Sequence, residues 1–527
     1  MHVHGSFQHR GPALGACSIS RRDFMRGSLA VGAGVAVSRL ALDAWSPIIA
    51  QAAQAELPPV TRFLSPDQVS ELLKLAMSKG APFAEVYGEY TINTNFVLDE
   101  NELRQAQYGV LSGVGVRVIS GEAVGYAYAD EFGMDGLREA ARVAAAIAAG
   151  KPAGAPRPFA ASKAKAPFTL VRPAPLTASE GEKIDLCRRA NAAARARDPR
   201  IKQVQVIMAD TSRAFLVANS EGVWAEDRQF VSRLAVSPTA IDGSNRQSGV
   251  AMAGGAVEAD YFEKVRTPEE TANEAADSAI ALLTAVEAKA GSYPVIINHG
   301  WGGVLVHECF GHSLEGDGIR KKTSIRERQL NQKVCSDIVN IYDDSTVPNA
   351  RGSFKVDDEG TPSQKSHVVQ DGVLKGYLWD RLNAQLTGNV SSGNGRRNSY
   401  RDFPIPRMTN TYIGGGTSKP ADLIGSIKNG LFCKNLAGGS VNPADGMFSF
   451  VVSEAYLIED GKLTSAVKGA TLTGNAADAM LRIEGLGDDL SIDTRTGTCG
   501  KDGQWKPVGV GQPTVMFSEM TVGGTRA

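Results

Sequence analysis

Cysteine is scarce in this 527-residue chain: there are six, and no two are spaced as C-x-x-C. That spacing pattern excludes a zinc ribbon and a c-type haem site, and no four-cysteine run supports an iron–sulfur cluster. No G-x-G-x-x-G follows a strand and opens a helix, which removes the usual dinucleotide fingerprint and, with it, the main support for a redox enzyme. Gly414-Gly415-Gly416 lacks the Lys-Ser/Thr that a phosphate loop requires. No stretch of 18 or more apolar residues is free of charge, so a multi-span membrane protein is excluded. Charge of one sign is missing as well, with 56 Lys and Arg against 57 Asp and Glu. A general nucleic-acid or anionic-membrane binder would carry a basic surface.

What the chain does contain is ordinary globular material, 43% hydrophobic and 21% charged. Its length suffices for about three domains. The 57 glycines point to many tight turns and a β-rich protein.

Residues 1–55 read as a targeting segment and are set apart from the fold. Ser20-Arg21-Arg22-Asp23-Phe24-Met25-Arg26 matches the twin-arginine export pattern. A weakly apolar Gly/Ala/Val run from Gly27 to Ser38 follows, and two A-x-A triplets end at Ala52 and Ala55. This route exports folded proteins, which suits a cofactor inserted in the cytoplasm and a periplasmic or otherwise exported product. The segment holds five Arg and two Asp, so its removal takes the net charge from −1 to about −4. Five cysteines remain: Cys187, Cys309, Cys335, Cys433 and Cys499. An odd number leaves at least one thiol outside any intramolecular disulfide.

The mature chain reads as α+β in two domains. Residues 56–290 form an N-terminal α/β domain built from two helix-plus-strand passes. Ser65-Pro66-Asp67-Gln68 and Thr267-Pro268-Glu269-Glu270 are capping boxes that open helices, the second running to about Ala288. Strands are expected over 86–98, 113–119 and 123–129, a helix over 140–149, a surface loop or linker over 150–167, and a helix near 182–195. Residues 291–527 form a β-rich C-terminal domain. Asp371-Gly372, Asp460-Gly461 and Asp502-Gly503 each separate alternating apolar segments and predict hairpins. One helix, Trp301 to Phe310, stands near the start of this domain.

That helix carries the chemistry. Its sequence continues as His307-Glu308-Cys309-Phe310-Gly311-His312, and the mature chain has only four histidines. Two imidazoles with an adjacent carboxylate suit a catalytic Zn²⁺ whose water Glu308 deprotonates. The spacing is i, i+5, which leaves the rings about 140° apart on an ideal helix. Both reach one metal only if the helix widens into a π-type turn or ends between them, and Gly311 eases such a departure. The alternative is a pair of hydrogen-bonded core histidines with Glu308 at the surface. Cys309, two residues after His307, points to the opposite side of a helix and reads as packing. Glu315 and Asp317 are either partners that orient the imidazoles or solvated acids. Arg396-Arg397 either binds a substrate carboxylate or packs its Gly-rich loop.

The run His307 to Asp317 resembles the HExxxH segment of the TldD subunit in the TldD/PmbA (TldD/TldE) metallopeptidases. The resemblance continues through Arg351-Gly352-Ser353, Asp357-Asp358-Glu359-Gly360, Gly393-Asn394-Gly395-Arg396-Arg397 and Pro406-Arg407-Met408-Thr409-Asn410-Thr411. It extends to Cys499-Gly500-Lys501-Asp502-Gly503-Gln504 and to Gly113-Val114-Gly115-Val116-Arg117 upstream. It implies His307, His312 and Cys499 as metal ligands, Zn²⁺ as cofactor and Glu308 as catalytic base. It also implies peptides or unfolded segments as substrate, with a PmbA/TldE-like subunit or a second copy as partner. Nucleic acid has no place in this reading, nor has a membrane once the signal is removed. A non-catalytic scaffold that keeps the metal site is the competing function.

Overall fold

The computed structural model describes residues 63–149, the backbone of 162–163, 178–493 and 497–524. The export signal and the 150–167 segment therefore lie outside the described residues, apart from the two-residue strand Ser162–Lys163. No described helix is long and apolar enough to cross a membrane. Both predicted capping boxes are present: Ser65 opens Pro66–Ala76 and Thr267 opens Pro268–Leu283, each side chain accepting from the backbone N–H three residues on. A third box, Ser179 with Glu182, opens Glu180–Arg197.

Long antiparallel hairpins dominate the N-terminal half. Strand Phe83–Asp99 lies between Glu102–Ser120 and Ile201–Asn219, with Ala123–Ala129 and Val223–Asp242 on the outer sides. The strand beginning at Glu102 is longer than its sequence suggests. Its first half is mostly exposed and polar, so the apolar alternation that marks a strand begins only near Gly113. The connecting residues Glu100 and Asn101 both have positive φ (51° and 68°) without a glycine to announce them.

Alternation gives this sheet two different faces. Ala84, Val86, Val114, Val116 and Val118 pack with the helices Pro66–Ala76 and Met134–Ile147. A second apolar cluster joins Val204, Val206 and Val236 to Glu180–Arg197 and Pro268–Leu283. The opposite face is buried and charged. Arg117 pairs with Glu85 at 2.8 Å and with Glu359 of the C-terminal half at 2.7 Å. Arg397 reaches Glu85 from the other side, and Arg213 pairs with Asp358 at 3.1 Å. Gly115 sits where this interface is tightest: a Cβ there would overlap the Tyr126 hydroxyl and the Tyr400 carbonyl.

One buried acid in this network lacks a full counter-charge. Asp380 caps the helix Arg381–Thr387, accepting from the Asn383 backbone N–H at 3.0 Å. Burial, reinforced by neighbouring Glu359, raises it to about 7. An unfolded Asp titrates near 3.9, so the folded state holds the extra proton between about pH 4 and pH 7. Stability from this group therefore falls as pH rises through that window. Asp380→Asn keeps a capping oxygen and removes the charge, so its thermal midpoint should gain on the parent's from pH 5 to pH 8. An equal gap at both pH values would show that Asp380 ionises normally.

The C-terminal half contains a ring of strands: Asn429–Val441, Gly291–Ile297, Val515–Gly523, Thr471–Asn475 and Met447–Glu459, the last pairing back to the first. A six-stranded sheet lies beside it, including Ile341–Asp344, Asn410–Ile413 and Gly509–Gln512. All three Asp-Gly turns are present, with both residues at positive φ between 47° and 75°. One apolar core spans these layers, drawing Val295 and Phe517 from the ring, Ile341 and Ile413 from the sheet, and Leu305 and Phe310 from the segment between them.

Candidate metal centre

The segment Gly300–Leu314 changes helical type three times. It runs as a 3₁₀ turn over Gly300–Gly303, α over Val304–Val306, π over His307–Gly311 and 3₁₀ over His312–Leu314. The π turn spans the histidine pair, with the His312 backbone N–H donating to the His307 carbonyl. This is the widening that a five-residue step needs to turn both rings to one side. The ring centroids are 5.3 Å apart.

Gly311 serves this geometry differently from the expectation. Its φ of −55° and ψ of −53° are ordinary helical values, so backbone freedom is not what it supplies. A Cβ at this position would overlap Sδ of Met408, which is fully buried. Gly311→Ala should therefore cost about 1–3 kcal/mol, as overpacking does. Urea unfolding of the double-mutant cycle with Met408→Ala checks it: strictly additive costs would contradict a steric origin.

Cys499 arrives 187 residues after His312, on the hairpin formed by Thr498–Lys501 and Gln504–Pro507. Its Sγ lies 3.3 Å from His312 Nε2, and one donor atom each from His307, His312 and Cys499 fall within 4.8 Å of one another. Basic residues hold the hairpin in place. Arg407 donates to the carbonyls of Cys499 at 2.6 Å and Gln504 at 3.0 Å. Lys501 pairs with Asp317 at 2.7 Å and Glu315 at 3.0 Å.

Glu315 also meets His312 Nδ1 at 3.2 Å, so it is the imidazole's partner while Asp317 serves Lys501. Burial acts to raise the Glu315 carboxyl, but Lys501 and His312 outweigh it and hold it at about 2. The same balance operates on Cys499: burial opposes the thiolate, and the two imidazoles bring it down to about 4. Glu308 lies 3.8 Å from His312 Nε2 at the rim of the group. Desolvation raises its carboxyl despite both histidines. Cys309 lies in the apolar core and is not among the converging donors.

The donor set suits a divalent metal. Two imidazoles and a thiolate are a common zinc set with room for a fourth ligand. His307 Nδ1 is buried without any hydrogen-bond partner, which is costly for a neutral imidazole left alone. Arg407 and Lys501, which position the hairpin, carry no local sequence signal of that role. Only their proximity in the fold distinguishes them from surface cations.

Fold and site together define a metallopeptidase class, and the comparisons agree. Three models match in order: PmbA/TldA metallopeptidase domain 1 over 84–148, central domain over 173–283 and C-terminal domain over 290–524. The chain belongs to this TldD/PmbA metallopeptidase family. Within it the chain is a TldD homologue, 38% identical over 468 residues to the metalloprotease TldD homolog of Haemophilus influenzae. That alignment covers 88% of this chain and 97% of the relative. A zinc metalloprotease TldD homolog of Saccharolobus solfataricus is 30% identical over 45% of this chain and 52% of its own length. TldE from Thermococcus kodakarensis shares the fold, with a TM-score of 0.70 at 19% identity over 87% of this chain and all of that one. A twin-arginine signal model matches 18–38, so the protein is exported by that pathway.

Proposed function

We propose that the protein is a zinc-dependent peptidase acting on unfolded or extended peptides, with His307, His312 and Cys499 as ligands and Glu308 as general base. We further propose a division near residue 290 between an N-terminal domain and the β-rich C-terminal domain that carries the centre. The observation that supports the function is the meeting of two imidazoles and a distant cysteine sulfur, with donor atoms within 4.8 Å of one another.

Bound zinc would supply Lewis acidity to the scissile carbonyl and to a water. Glu308 accepts the proton of the attacking water and returns it to the leaving amine, a role matched to a carboxyl raised by burial. Glu315 fixes the His312 ring through Nδ1, and Lys501 keeps Glu315 ionised. The fold shared with TldE supports a related subunit or a second copy as partner. Purified mature protein should carry about one zinc per chain and cleave an unfolded polypeptide. Chelation should stop the cleavage and zinc should restore it; turnover that survives complete removal of metal would sink the reading.

A further inference from the structure

A cavity of about 600 Å³ lies between the charged face of the N-terminal sheet and the C-terminal half. Its size suits a small molecule or the end of a peptide. It abuts the Cys499 hairpin through Thr498, Trp505, Lys506 and Pro507. None of His307, Glu308, His312 and Cys499 lines it, although Lys506, paired with Cys499 across the hairpin, stands in its wall. The cavity is therefore a second space, beside the metal-binding group.

Its wall is unusually basic. Arg213, Arg351, Arg396, Arg401 and Lys506 line it, against Glu89 and Asp402. Three of the five cations have carboxylate partners: Arg213 with Glu89 and Asp358, Lys506 with Asp358, and Arg401 with Asp130. Asp402 accepts from the Ser399 hydroxyl at 3.0 Å. The remaining two guanidiniums form no ion pair among the described residues, although Arg351 is only 9% exposed and Arg396 only 3%. Arg351 donates to the Gly497 carbonyl at 3.2 Å and to Thr498 Oγ at 3.5 Å. Arg396 donates to the carbonyls of Met408 and Pro507, the latter at 2.7 Å.

Carbonyl oxygens satisfy N–H groups without cancelling charge, so two desolvated cations line one cavity with no carboxylate at ion-pair distance among the described residues. Burial depresses both guanidiniums to about 10, outweighing the opposing pull of Asp493 on Arg351 and of Asp358 and Asp343 on Arg396. A planar fork matches a carboxylate in bidentate fashion. Asn93, Gln229, Ser353 and Asn398 add hydroxyl and amide groups to the wall, while Phe230 and Trp505 add ring surface. Mixed amide, hydroxyl and ring surface of this kind suits peptide.

We propose that this cavity is a carboxylate-binding site anchored by Arg351 and Arg396, taking either the C-terminal carboxylate of a peptide or a free small carboxylic acid. Because the same two residues bond to Gly497, Thr498 and Pro507, its occupant braces the hairpin that carries Cys499. The assignment does not depend on hydrolysis.

Calorimetric titration of the mature protein in chelator, where no metal-dependent turnover occurs, tests it with three probes: N-acetyl-trialanine, its C-terminal amide, and succinate. The free-acid peptide should bind about tenfold or more tightly than the amide, and Arg351→Gln should remove that preference. Succinate that binds with the same Arg351 dependence, while the peptide does not, assigns the site to free acids. Val231→Trp, which fills the cavity and leaves both guanidiniums in place, should abolish binding and decides the matter if Arg351→Gln does not fold. Equal binding of acid and amide overturns the proposal, as does no binding of any acid at millimolar concentration. A preference for the acid that survives Arg351→Gln, or any binding that survives Val231→Trp, in folded form overturns it too. Because all titrations are done without metal, failure here leaves the peptidase reading untouched, and failure of that reading leaves this one standing.

Discussion

Cys499→Ser should purify with less than one-tenth of the parent's zinc and hydrolyse peptides at background rate. A serine hydroxyl is a poor ligand at neutral pH, whereas the Cys499 thiol is brought to about 4 by its two histidines and is ionised there. The expected loss of metal affinity is about a hundredfold or more, beyond the 10–100-fold typical of changes outside the ligand set. The fold should survive, because Arg407 and Lys501 hold the hairpin by its Cys499 and Gln504 carbonyls and by the Lys501 side chain, none of which the change alters. Elemental analysis alongside circular dichroism separates the outcomes. A folded serine variant with full zinc would remove Cys499 from the ligand set.

Glu308→Gln should do the reverse: full metal content, with kcat reduced by about 10²–10⁴. Gln fills the same space 3.8 Å from His312 but cannot take a proton from water. KM should change little if Glu308 acts only in the chemical step. Cleavage at the parental rate would leave a metal-retaining scaffold as the better account and would require another base.

The histidine pair was readable in the sequence together with its difficulty, because the five-residue step already demanded a departure from α-helical geometry. The π turn over His307–Gly311 meets that demand. The role of Gly311 was not readable, since the reason lies in Met408, almost a hundred residues away in sequence. Convergence of Cys499 was implied only by family resemblance; no local pattern places a sulfur from a C-terminal hairpin beside a helix near residue 310. The Asp-Gly hairpins were legible because positive φ leaves a signature in residue type. Glu100 and Asn101 also turn the chain at positive φ but without glycine, so no residue type marks that hairpin in the sequence. Charged residues on strands, such as Glu85 and Arg117, look like solvent-facing positions in an alternating pattern. In the structure they lie at 0% and 1% exposure, because the C-terminal half covers that face.

The separation of His312 from Cys499 orders events during synthesis. While a ribosome is still making the residues between His312 and Cys499, the nascent chain presents two imidazoles without that thiolate beside them. The strand Val515–Gly523, which pairs with Gly291–Ile297 next to the histidine segment, emerges later still. On the proposed ligand set, the three donors are therefore complete only once translation has passed Cys499 and reached the closing strand.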